Sequence, residues 1–181
     1  TVCAGTTISL SPSGANVYFY SNGSTTLAPT NNTTVGISGL SSFGCASSNT
    51  AISTISVNSR PTITVNNPSI CAGNSAVISP SATGVNVFNI SGGNFTVNPT
   101  SNSSYSVTAT GTNGCASTNT AISNVVVNSL PVISVNDGTI CSGQTFTINA
   151  SGANTYTYSS GSNTVTPTSN TTYSITGTSS Q

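Results

Sequence analysis

The sequence predicts an all-β protein built from tandem antiparallel β-sandwich modules of about 70 residues. Three observations predict it. Short apolar/polar alternations, rich in Val, Ile and Thr, are bounded by Gly, Pro, Asn and Ser, as expected of strands and turns. No segment shows helical periodicity. A set of cysteine, proline and asparagine motifs returns at a fixed spacing.

The spacing defines the modules. Cys45-Ala46-Ser47-Ser48-Asn49-Thr50-Ala51-Ile52-Ser53 returns as Cys115-Ala116-Ser117-Thr118-Asn119-Thr120-Ala121-Ile122-Ser123, an offset of 70 residues. Cys3-Ala4-Gly5, Ile70-Cys71-Ala72-Gly73 and Ile140-Cys141-Ser142-Gly143 are three copies of one motif, and Pro29-Thr30, Pro99-Thr100 and Pro167-Thr168 mark the middle of each copy. The modules are 1–60, 61–130 and 131–181. Only the second carries every motif. The first has just Thr1-Val2 before its cysteine and so lacks the opening strand, and the third stops at Gln181, before its last strand. The expectation is an array that continues at both ends. The chain starts at Thr1 with no signal-peptide pattern, so it is a mature product or a window from something longer.

In the second module the alternation places strands near 62–65, 76–79, 85–90, 95–97, 105–109 and 122–127, with turns at Gly92-Gly93 and Asn113-Gly114. One apolar and one polar face per strand is the pattern of an antiparallel sandwich. The expected core is Ile63, Val65, Val77, Val87, Val97, Tyr105, Val107 and Val125. So small a module buries limited surface and gains from a covalent staple.

Five cysteines and no histidine, with no paired C-x-x-C, read as disulfides rather than a zinc site. The simplest pairing is Cys3–Cys45 and Cys71–Cys115, with the partner of Cys141 outside the chain. Each bridge would close a loop of about 40 residues and contribute about 3–4 kcal/mol. An even strand count puts the first and last turns at one end of the sandwich and makes this pairing easy. Seven strands would put them at opposite ends, and the bridges would then need a different geometry or would link neighbouring modules.

Charge excludes several functions. Arg60 is the only basic residue and Asp137 the only acidic one among 181. Nucleic-acid and anionic-membrane surfaces require clustered Lys and Arg, and no apolar run approaches the roughly 20 residues of a spanning helix. We therefore expect no nucleic acid partner and no membrane insertion. General acid–base and nucleophilic catalysis require paired ionisable groups that the chain does not contain. The expectation is no catalytic residue, no metal and no cofactor. Arg60 reads as a solvated linker residue, and Asp137 as part of an Asn-Asp-Gly turn.

Two features stand out as candidate sites. Tyr18 and Tyr20, with Tyr156 and Tyr158, occupy one strand position in the first and third modules and are candidate glycan contacts; Phe88 lies nearby in the second. N-x-S/T acceptors occur at Asn22, Asn31, Asn32, Asn89, Asn94, Asn102, Asn149 and Asn170. Of these, Asn22, Asn32, Asn94, Asn102 and Asn170 are the candidate glycosylation sites. Abundant Ser and Thr also allow O-linked sugars.

Pro131-Val132-Ile133-Ser134-Val135-Asn136, Ile140-Cys141-Ser142-Gly143, Gly152-Ala153-Asn154, Tyr156-Thr157-Tyr158-Ser159, Val165 through Thr178, and Gly114-Cys115-Ala116 form one extended pattern. It resembles the immunoglobulin-like tandem repeats of Bacteroidetes surface proteins, such as gliding-motility adhesins and other type IX secretion substrates. The resemblance spans the chain and implies an extracellular or cell-surface, filamentous, Ig-like role. The chain departs from it in its near absence of charge, and in Val35 where later copies have Tyr105 and Tyr173. Three functions are expected in order: a structural repeat region of a surface fibre, stalk or adhesin; a protomer of a filament built by strand complementation; and a glycan-binding adhesin module. The expected partners are copies of itself, neighbouring modules, or surface glycans.

Overall fold

A computed structural model describes residues 1–180. Among these every regular element is a β-strand. The chain packs as two compact units. One contains Thr1–Asn67, Val77–Thr96 and Ser104–Asn124; the other contains Pro68–Ala76, Val97–Ser103 and the chain from Val125 onward. This division runs through residues 61–130, whereas the strand pairings recur at the sequence spacing.

In the first unit, β1 (Val2–Cys3) pairs in parallel with β7 (Val57–Asn58). β2 (Ile8–Ser9) pairs antiparallel with β4 (Thr26–Leu27). β3 (Val17–Tyr20), β5 (Thr33–Leu40) and β6 (Ala51–Ile55) form an antiparallel sheet. Alternation along β5 buries Val35 and Ile37, which meet Ile55; Val2, Ile8, Leu10, Leu27 and Val57 pack around them. The same unit pairs β8 (Thr64–Val65) with β11 (Pro80–Ser81), and β12 (Val85–Ile90) with β14 (Ser103–Gly111).

In the second unit, β9 (Ser69–Cys71) runs parallel to the end of β15 (Ala121–Asn128), repeating the β1–β7 pairing. β10 (Ala76–Val77) and β13 (Thr96–Val97) precede the third module's strands: β16 (Ser134–Val135) on β18 (Ala150–Ser151), β17 (Phe146–Thr147) on β20 (Thr164–Val165), and β19 (Thr155–Tyr158) on β21 (Ile175–Thr178). The second module shows the fullest set of pairings: β8 with β11 and β10 with β13 form two-stranded ladders, while β12, β14 and β15 form a sheet that β9 joins at its edge. The first and third modules repeat parts of this set, which fits an all-β, immunoglobulin-like sandwich.

Asparagine side chains join strands where short ladders leave backbone groups over. Asn66 Oδ1 accepts the Ser79 N–H at 2.7 Å and Asn66 Nδ2 donates to the Val77 carbonyl at 2.9 Å. Asn136 repeats this with Asn149 and Thr147. Such bonds satisfy buried or edge amides that two-residue strands cannot pair.

The structure corrects two core assignments. Ile63, Val97, Val107 and Val125 are buried, but Val77 is 56% and Val87 is 46% exposed. Their places are taken by Ala76 and Ile78, and by the half-buried Phe88 and Ile90. Around Val77 the inward pair is one residue to either side. In β12 a register irregularity between Val85 and Val87 shifts the phase, and a shift of one residue exchanges the two faces of a strand. β9 was not apparent from alternation, because only Ile70 and Cys71 of its three residues are apolar.

Candidate functional site

Two places carry the chain's specific chemistry. The first is a joint between the first and second sequence modules, all of it within the first compact unit. Cys3 is bonded to Cys115, with Cα atoms 5.6 Å apart. The expected Cys3–Cys45 and Cys71–Cys115 bridges are therefore not formed. The reason lies in the parallel pairing of β1 with β7. Cys3 sits beside Asn58, at the end of the module's last strand segment, whereas Cys45 precedes Ala51, where that segment begins. At about 3.3 Å per residue, the segment 51–58 separates the two cysteines by roughly 20 Å, far beyond the Cα spacing a disulfide spans.

Both halves of the bond sit in stiff turns. After Cys3 the chain turns through a Thr6 N–H to Cys3 carbonyl bond of 3.0 Å, and Gly5 donates to the Pro29 carbonyl at 2.9 Å. Cys115 closes a hairpin in which the Gly111 N–H donates to its carbonyl at 2.8 Å and its own N–H donates to Asn113 Oδ1 at 3.1 Å. Gly114 there has φ +79°, which only glycine adopts without strain.

Arg60 flanks this bond and is not a solvated linker residue. Its Nε donates to the Ala4 carbonyl at 2.7 Å, one guanidinium nitrogen reaches Thr6 Oγ1 at 3.3 Å, and the other reaches the Ala116 carbonyl at 3.4 Å. The planar fork fits here because it holds several donors in fixed directions. Asn113 Nδ2 adds a bond to the Ser59 carbonyl at 2.9 Å. The one cation of the chain is thus used to hold two modules together through neutral oxygens.

The second place is a groove of about 510 Å³ in the third module. Ile148, Val165, Tyr173 and Ile175 line it, with Asn170 at its rim and Asp137 in the irregular loop beside it. Its identity follows from the other modules. In the first, β6 pairs with β5 and buries Ile55, and the Asn32 side-chain carbonyl accepts the Val57 N–H at 2.7 Å. In the second, the Asn102 side-chain carbonyl accepts the Val127 N–H at 2.8 Å, and Val125 is 1% exposed. Asn170 is the same residue of the repeat as Asn32 and Asn102. In the first two modules β6 and β15 occupy the equivalent place, and no described residue fills it in the third.

The tyrosines have a packing role. Tyr18 and Tyr20 face inward and pack on the Val35–Ile37–Ile55 cluster, while Phe19, between them, is 53% exposed. The Tyr18 hydroxyl accepts the Ala15 N–H at 2.8 Å. The Tyr156 hydroxyl exchanges 2.8 Å bonds with the backbone of Ala153, and Tyr158 is half-buried. The alternation that pairs them puts them on the core side of the strand, half-buried. The acceptor asparagines Asn22, Asn32, Asn94, Asn102 and Asn170 are all exposed, and the side chains of Asn32 and Asn102 also hold the last strand of their modules. No cluster of three metal-binding side chains occurs among the described residues, and no helix there is long and apolar enough to cross a membrane.

No protein-family model matches the sequence, and no curated protein matches it. Among solved structures, the crystal structure of Down Syndrome Cell Adhesion Molecule (DSCAM) isoform 1.30.30, N-terminal eight Ig domains, is similar at TM-score 0.31 and 14% identity, over 87% of this chain and 27% of that chain. The chain spans little more than a quarter of that molecule's length, and the immunoglobulin-like assignment rests on the strand pairing of the modules themselves.

Proposed function

We propose that the chain is a non-catalytic structural repeat region of an extracellular surface fibre, stalk or adhesin. The observation that carries this reading is the joint at Cys3–Cys115. A bridge, a shared arginine and an asparagine bond all serve to fix one module on the next, which suits a load-bearing spacer rather than a flexible string of binding domains. A disulfide between turns also supports an oxidising compartment, and the resemblance to repeats of Bacteroidetes surface adhesins points to the same location. Intact mass of native, unreduced material, with electron microscopy of the same sample, tests the reading. Filamentous or stalk-like material with repeat-spaced texture supports it. Compact, non-filamentous particles would sink it.

The groove favours a second reading, in which a last strand from a neighbouring repeat completes the third module. An open edge on β21 beside a groove lined by Ile148, Val165, Tyr173 and Ile175 is a template for strand addition. A synthetic peptide with the sequence of residues 121–128 should protect the β21 amides from hydrogen exchange. A version with Asp in place of its buried Ser and Val should not. Equal protection by both, or by neither, would defeat this reading. Exposed Asn22 and Asn94 are the acceptors best placed to carry sugars, a point settled by intact mass before and after N-glycosidase treatment.

A further inference from the structure

The joint at Cys3–Cys115 has two unused halves elsewhere in the chain. Cys45 holds the position in the first module that Cys115 holds in the second, and Cys141 holds the position in the third module that Cys3 holds in the first. Both are exposed. Their surroundings copy those of the bonded pair. Around Cys45, the Ser41 N–H donates to the Cys45 carbonyl at 2.9 Å, the Cys45 N–H donates to Ser41 Oγ at 3.2 Å, and Gly44 has φ +79°, as in the Cys115 hairpin. Around Cys141, the Gln144 N–H donates to the Cys141 carbonyl at 3.0 Å and Gly143 donates to the Pro167 carbonyl at 3.0 Å, as in the Cys3 turn.

The Cys45 hairpin differs from its bonded counterpart in one respect. Where Asn113 reaches across the joint to Ser59, the first module has Phe43, 93% exposed. A large aromatic ring fully presented beside a thiol, on a hairpin whose equivalent is docked, is a surface shaped for contact.

We propose that Cys45 and Cys141 are the two halves of an intermolecular bridge, joining the third module of one copy of this chain to the first module of the next. The inference deepens the structural reading above and rests on it. It names the partner as a second copy and gives the joint its chemistry. The bond forms by thiol–disulfide exchange with a small-molecule disulfide. The Cys141 thiolate attacks that disulfide and releases one small thiol. The Cys45 thiolate of the second copy then attacks the mixed disulfide and releases the other. Two protein thiols are oxidised, and one small disulfide is reduced to two thiols.

The test uses the 181-residue chain with oxidised glutathione, followed by non-reducing electrophoresis and disulfide mapping with thermolysin, since the single Arg precedes Pro and leaves trypsin little to cut. The expected result is a ladder in steps of 17.9 kDa, with Cys45 linked to Cys141 and Cys3 still linked to Cys115. Cys45→Ser and Cys141→Ser each remain monomeric alone, and mixing them gives one covalent dimer and no ladder. Neither substitution touches the internal bridge, so both variants fold. The proposal is overturned if both thiols end as glutathione adducts of monomer, if either variant dimerises alone, or if the links map to Cys71. If native material is filamentous under the microscope yet carries no Cys45–Cys141 link, this inference fails while the structural reading stands. If it is neither filamentous nor linked, both fail.

Discussion

Replacing Cys3 by serine opens the bridge to Cys115 and measures what the joint contributes. The two cysteines are 112 residues apart in sequence. Loop-closure entropy for a link of that length gives about 5 kcal/mol at 25 °C, and native disulfides in practice return about 2–5 kcal/mol. Cys115 is fully buried, and a lone thiol there behaves as a small hydrophobe, so little of the loss comes from solvation. For a unit of roughly 100 residues, each kcal/mol lowers Tm by about 4–8 °C, so a fall of at least about 8 °C is expected for the unit that contains the bridge. The chain has no tryptophan and six tyrosines, so tyrosine fluorescence and far-ultraviolet circular dichroism are the signals to follow. Cys45→Ser is the control and should shift the transition by less than about 0.5 kcal/mol, as an exposed substitution does. Equal destabilisation by Cys3→Ser and Cys45→Ser, or no effect from Cys3→Ser, would refute the joint and reinstate the pairing within one module.

Other expectations follow from the same contacts. Arg60→Ala should cost about 1–2 kcal/mol, reduced by its partial exposure, and should raise the rate at which dithiothreitol opens Cys3–Cys115, read by thiol titration. Asn102→Ala removes the acceptor for the Val127 N–H and should cost about 1 kcal/mol, with faster exchange of that amide as the direct readout. Val125→Ala removes a buried side chain from β15 and should cost about 2 kcal/mol, measured by denaturant midpoint at unchanged m-value. Gly177→Ala would drive a methyl into Ile133 and Ala153 and should destabilise the third module by about 1–3 kcal/mol, seen as earlier melting of that part alone.

The strands were legible because the motifs are local. Pro-x-Ile-x-Val-Asn, Cys-x-Gly and Gly-Cys-Ala each specify a strand, a turn or a hairpin through side chains within a few residues of one another. Face assignment failed where alternation was ambiguous, at Val77, and where an irregularity in β12 reversed the phase, at Val87. The strand-clamping asparagines were hidden for a different reason. Asn32 and Asn102 sit in N-x-S/T patterns that read equally well as sugar acceptors, and only the distance to the Val57 and Val127 amides, 25 residues on in each case, reveals the clamp.

The cysteine pairing shows where a repeat sequence stops being informative. Cys45 lies in the same module as Cys3 and Cys115 lies one module period beyond Cys45, and both lie in the same Gly-Cys-Ala hairpin of the repeat. Sequence alone cannot choose between them, because the choice depends on where along the last strand segment the first short strand lies. Beside Ala51 Cys3 would lie near its own module's hairpin, but Val2 and Cys3 lie against Val57 and Asn58. The parallel pair places it at the far end of the module, where only the next module's hairpin can reach. Two hydrogen-bonded residue pairs thus decide whether the disulfides close each sandwich on itself or run from module to module. In this chain the Cys3–Cys115 bridge runs from module to module, and the exposed Cys45 and Cys141 turns repeat the same halves of that connection.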